Sequence, residues 1–291
     1  MKTLRQRRGG YTLIELLVVI SLIAVLAALT LAFLPNAASS AREARAAVQL
    51  QGWLNVAKQR ALREQAPRGL RLWVSSSDPS QVVECQYIER PDDFSGGQIL
   101  SGATTDTVKF SVDLLNGSAL TPAEMKYWSV QPGDYLEVMG TGLAHQITSV
   151  VDGTTAKITP PLPYPLLTPT ANYRVVRSPR VVGDETLKLP DQTVIDLKTN
   201  TDFNNPLPPT DTSSGTGFVD ILFGPSGAVI SRGVSTATIN LWVRAPDSNN
   251  PTDIYRGDPT IVAVFVRTGL VNAYPPAPLS AVNPNPYLLV K

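Results

Sequence analysis

A chain of 291 residues with a formal net charge of +1 offers no global electrostatic case for nucleic acid or for acidic substrates. Its single cysteine, Cys85, excludes an internal disulfide, so burial and hydrogen bonding must hold the fold. The 25 prolines and 20 glycines, beside only 17% charged residues, favour short strands joined by turns, arranged as one domain with additions.

Lys2, Arg5, Arg7 and Arg8 open the chain with no acid among them, and residues 16–34 then carry no charge. That uncharged run amounts to about 28 Å of helix, close to the roughly 30 Å of a bilayer hydrocarbon core. It predicts a membrane anchor with the basic cluster cytoplasmic and everything after residue 34 outside. A secretory signal peptide cut within Asn36–Ala41 competes with this reading, as does a plain uncleaved anchor. Against the signal peptide stand the length of the apolar run, Glu15 at its cytoplasmic end, and a helical pattern that continues past the cut. A carboxylate entering apolar surroundings is costly and calls for a partner.

The stretch Gly9-Gly10-Tyr11-Thr12-Leu13-Ile14-Glu15-Leu16-Leu17-Val18-Val19-Ile20 resembles the class III signal of type IV prepilins and type II secretion pseudopilins. The resemblance implies a leader over residues 1–10 and cleavage between Gly10 and Tyr11 by prepilin peptidase. It also implies N-methylation at Tyr11, where phenylalanine is the commoner residue. A glycine before the cut presents no side chain to a peptidase working at the membrane face. Glu15, fifth after the cut, is the position that in the family pairs with the terminal amine of a neighbouring subunit. The implied partners are therefore prepilin peptidase, other pseudopilin or pilin subunits and inner-membrane lipid, with the head in the periplasm.

Beyond the anchor, at residues 11–34, Pro35 predicts a kink or local unwinding. Ala47, Leu50, Leu54, Ala57 and Ala61 then recur at spacings of three and four, one apolar seam on a polar helix that extends the element over 11–64. Arg42, Arg45, Lys58, Arg60 and Arg63 decorate the other faces, interrupted by Glu43 and Glu64 and without interleaved aromatics. That is the pattern of a solvated face and not of a nucleic-acid stripe. Pro67 and Gly69 end the helix.

Strand patterns follow at 69–74, 81–88, 192–197, 218–223, 228–231, 238–244 and 260–266, with a turn at Gly224-Pro225-Ser226-Gly227. The fold class is α+β: a long N-terminal helix, part anchor and part spine, then an antiparallel β-sheet head over 65–99 and 181–291. Phrases such as LKLPDQTVIDL, ILFGPSGAVISRG and VAVFVRTGLV look similar to the GspH/FimT-type minor pseudopilins. Runs at 135–139, 144–151, 154–159 and 173–176 read as a small inserted β lobe over 100–180. Residues 160–169 form one of its loops, and 199–217 form another loop of the head.

Catalytic constellations are wanting. His145 is the only histidine and has no triad spacing around it; the Gly224–Gly227 turn lacks the form of a nucleophile elbow. Cys85 lies in a strand pattern with no metal spacing. Asp247, Asn249, Asn250 and Asp253 could offer oxygen ligands to calcium, yet the calcium-loop signature is absent. Trp53, Trp73, Trp128 and Trp242 sit in apolar patterns that read as core. The expectation is a non-enzymatic subunit without metal or cofactor: a minor subunit of a type II secretion pseudopilus that supports protein export, or, as the alternative, a minor type IV pilin of a DNA-uptake system. Asn272–Lys291 holds one basic residue, and the lobe balances six cations with six anions, so nucleic acid is not expected as a partner. A membrane-anchored hydrolase finds no supporting constellation.

Overall fold

The computed structural model describes residues 12–111, 130–199, 207–211, 217–246, 259–278 and 285–290, and over 28–40 it describes the helix backbone alone. Helix α1, Leu13–Glu64, runs for 52 residues, about 78 Å at the rise of an α-helix. Thr12 caps its start, and Gln65, in the left-handed region at φ 50°, caps its end before Pro67. The helix is continuous through Pro35, so the local unwinding expected there does not occur. A proline removes one backbone donor, and the turns on either side keep their own bonds.

Among the described residues fifteen strands follow: β1 (Arg68–Val74), β2 (Gln81–Glu89), β3 (Ile99–Ser101), β4 (Thr107–Phe110), β5 (Tyr135–Val138), β6 (Ala144–Asp152), β7 (Thr155–Thr159) and β8 (Tyr173–Val176), then β9 (Arg180–Val181), β10 (Leu187–Lys188), β11 (Val194–Asp196), β12 (Phe218–Phe223), β13 (Thr238–Arg244), β14 (Thr260–Phe265) and β15 (Val271–Tyr274). They form two antiparallel sheets. The larger has the order β12-β1-β2-β11-β13-β14-β15, with β9 and β10 also paired to β2; the smaller has the order β3-β4-β7-β6-β5-β8. The chain is α+β, a helix followed by a mostly antiparallel β region.

Two expected strands are corrected. Residues 228–231 form none, because after the Gly224–Gly227 turn the backbone divides its bonds: Val229 N–H donates to Val266 at 2.8 Å and Ile230 N–H to Leu222 at 2.7 Å. One short run tied to two different neighbours makes no ladder with either. The strand expected from Gln192 starts only at Val194, because Gln192 lies at φ 60°, outside the extended region.

One face of the larger sheet packs on the C-terminal half of α1. Ala47, Leu50, Leu54, Ala57 and Ala61 are all buried there, joined by Ala46, against Leu70, Leu72, Ile221, Phe223, Leu241 and Val264. Glu43, expected on a solvated face, is instead fully buried, its Oε1 accepting the Ala245 backbone N–H at 3.1 Å. A buried carboxylate is tolerated where a donor meets it. The smaller sheet has a core of its own around Ile99, Val108, Leu136, Ile147, Ile158 and Val175. The connection to it leaves β2 and returns through β9, where Glu89 pairs with Arg180.

Candidate functional site

The helix start is a capping box. Thr12 N–H and Thr12 Oγ1 each donate to Glu15 Oε2 at 3.0 Å, and Glu15 N–H donates to Thr12 Oγ1 at 3.3 Å. Each group satisfies a polar atom that the first helical turn leaves without an intrahelical partner. Glu15 is thus oriented by its own chain while remaining open to others. Gly10 and Tyr11, the residues expected to flank the cut, lie outside the described residues. From Leu13 to Leu26 the large apolar side chains project away from the rest of the chain, with exposures between 49% and 82%. Among the described residues no helix is long and apolar enough to cross a membrane, and the described apolar side chains of this segment stop at Ala27.

The other candidates are dispersed. His145 is buried in the smaller sheet, its Nδ1 2.6 Å from the carbonyl oxygen of Pro160. Cys85 is buried in β2, and burial pushes its thiol well above the ordinary range, which suits a packed side chain and not a nucleophile. Gly224–Gly227 is a tight turn closed by Gly227 N–H donating to Gly224 at 2.8 Å. Trp242 is core, its Nε1–H donating to Tyr287 Oη at 3.0 Å, and Trp53 packs at the core's edge. Trp73 lies on the sheet face away from α1, its Nε1–H donating to Gln86 at 2.7 Å. Trp128 and the loop with Asp247, Asn249, Asn250 and Asp253 lie outside the described residues. Among the described residues no three histidines, cysteines or acids gather as a metal site.

What the sequence left unremarked is a charged cleft on the face of the larger sheet away from α1. Arg71 on β1 donates through Nε and Nη2 to the two oxygens of Asp220 on β12, both at 2.7 Å, and through Nη2 to Pro179 at 2.9 Å. Its guanidinium stacks 3.6 Å from the centre of the Phe218 ring. Opposite, Asp134 is buried, accepting from Gln131 N–H at 2.9 Å and Ser178 N–H at 2.8 Å, with Arg180 at 3.6 Å. Burial pushes its carboxyl above the usual aspartate range, against those two amides and the arginines. The available signal was polar punctuation of apolar strands, Leu70-Arg71-Leu72 and Val219-Asp220-Ile221.

Residues 5–31 match the prokaryotic N-terminal methylation motif, the signal of the type IV pilin and pseudopilin class. The motif implies processing by prepilin peptidase and assembly with other pilin subunits, and it belongs to structural subunits and not to enzymes. It suggests a membrane-anchored protein. No curated protein matches the chain. Among solved structures, the phage phi92 endosialidase is 14% identical, with 67% of this chain and 33% of that chain covered, at a TM-score of 0.20. This chain spans about a third of that protein, and likeness of that degree carries no argument about fold or activity.

Proposed function

We propose that the protein is a minor structural subunit of a type II secretion pseudopilus, of the GspH/FimT type. In this reading it is cut between Gly10 and Tyr11, methylated at Tyr11 and held in the inner membrane by residues 11–34, with its head in the periplasm. One observation carries it: within the methylation motif, Glu15 stands at the first turn of a helix whose large apolar side chains from Leu13 to Leu26 are all exposed, by 49% or more. A surface of that kind needs lipid or neighbouring subunits to cover it. The Thr12 cap holds the carboxylate in place, so a neighbour's terminal amine would meet an oriented anion at little further entropic cost.

The test is isolation of the protein with its partner subunits from membranes. Glu15→Gln retains an oxygen for the Thr12 cap and loses the charge, while Glu15→Ala loses both. Ion pairing as the assembly contact predicts that both variants insert and that both co-purify poorly with partners. Wild-type co-purification of Glu15→Gln would contradict the role given to this carboxylate.

A further inference from the structure

The cleft between the two sheets is of ligand size, about 850 Å³, within the roughly 300–1,000 Å³ of small-molecule sites. Five arginines line it: Arg71, Arg90, Arg177, Arg180 and Arg232. Three aspartates oppose them, Asp134, Asp211 and Asp220, which leaves two positive charges in excess among the described residues of the lining. Asp92 and Asp93 act on Arg177 from outside it, and Asp93 also meets Arg174 at 3.6 Å.

We propose that this cleft binds a small carboxylate-bearing molecule. Arg71 is held by Asp220, so it forms part of the wall. Arg90 brings a second, independent observation: its Nε is buried and has no hydrogen-bond partner among the described residues. A planar guanidinium takes a carboxylate through two parallel N–H bonds, and a buried donor left without an acceptor is costly until one arrives. Burial also lowers the pKa of Arg177 and of Arg180, a penalty on their charge that an incoming anion would relieve. A dianion costs more to take out of water than a monoanion, which favours a singly charged carboxylate over phosphate in a partly buried cleft. Phe218, Leu222, Ile230 and the Tyr135 ring give the ligand's body an apolar or ring-stacking wall. Arg232 already stacks 3.5 Å from the centre of that ring at the exposed mouth. None of this depends on whether the chain enters a filament.

The test is calorimetric titration of the full chain in detergent micelles at low salt with benzoate, glucuronate, N-acetylglycine and inorganic phosphate. The three carboxylates stand for an aromatic acid, an acidic sugar and a peptide terminus, so the one that binds identifies the source. At least one should saturate at one site per chain, with Kd raised tenfold or more by Arg90→Gln and by Arg232→Gln. Lys157→Gln, an exposed cation outside the lining, should leave it unchanged. Arg232 is exposed, so its variant keeps the test open if Arg90→Gln fails to fold. Saturation by none of the carboxylates, equal weakening by all three variants, or tighter binding of phosphate would overturn the proposal.

Discussion

Glu43 Oε1 and the backbone N–H of Ala245 meet at 3.1 Å inside the protein, tying α1 to the end of β13. The carboxylate is fully buried, so its removal leaves both a cavity and an amide without an acceptor. Glu43→Ala should cost about 2–4 kcal/mol, and Glu43→Gln, which keeps an oxygen there, about 1 kcal/mol. Urea unfolding followed by tryptophan fluorescence reads both, and an unchanged midpoint for the alanine variant would contradict the contact.

Two glycines should respond in opposite directions. Gly269 sits at φ 57°, and a Cβ there would lie 1.9 Å from the carbonyl oxygen of Gly227. Gly269→Ala should therefore lose about 3 kcal/mol through strain and displaced backbone. Gly52 lies in the interior of α1 with nothing within 4 Å of its would-be Cβ. Gly52→Ala should gain about 0.5–1 kcal/mol through helix propensity. Thermal unfolding of the two variants beside the parent decides both signs.

Asp134 should give the stability a pH slope. Its folded pKa is raised by burial, so the native state holds its proton to higher pH than the unfolded chain does. Stability from this group is present at acidic pH and is lost as pH rises from the ordinary value of 3.8 through the raised one. Asp134→Asn should flatten that fall. The variant also leaves one of the two amides from Gln131 and Ser178 facing an NH₂, and so is less stable at every pH. Denaturant midpoints measured across pH 4–7 test the slope, and a parallel fall in the variant would assign it to another group.

The smaller sheet is expected to be an attachment to the larger. Glu89 and Arg180 are antiparallel partners, so the chain leaves the larger sheet and returns to it at adjacent positions. Replacing residues 90–179 by a two-residue Asn-Gly turn should close a hairpin between β2 and β9. The remaining head should keep one cooperative thermal transition, because the seam of α1 and the larger sheet keep their contacts. Loss of that transition would show the two sheets to be one folding unit.

Local signals were legible and long-range ones were not. The methylation motif is contiguous, and the Ala47–Ala61 seam repeats at helical spacing, so both can be read along the chain. β12, β13 and β14 carry dense β-branched and aromatic runs. β3 and β4 escaped because they are short and set among glycine and threonine, and β15 because Val-Asn-Ala-Tyr has neither length nor clear alternation. Glu43 looked like a break in a basic face, since nothing near it in sequence announces Ala245. The pairing of Arg71 with Asp220 depends on strand register between residues 149 positions apart. The proximity of Arg180 and Asp134 depends on how the two sheets meet, which no local pattern encodes.

The claim that this is a processed filament subunit is tested most directly by the mass of the amino-terminal peptide of the protein recovered from membranes. Processing at the methylation motif predicts a terminus at Tyr11 carrying an added methyl group, and accumulation of precursor when Gly10 is replaced by a bulky residue. A terminus still at Met1, or a new one near Ala38 or Ala41, would contradict it.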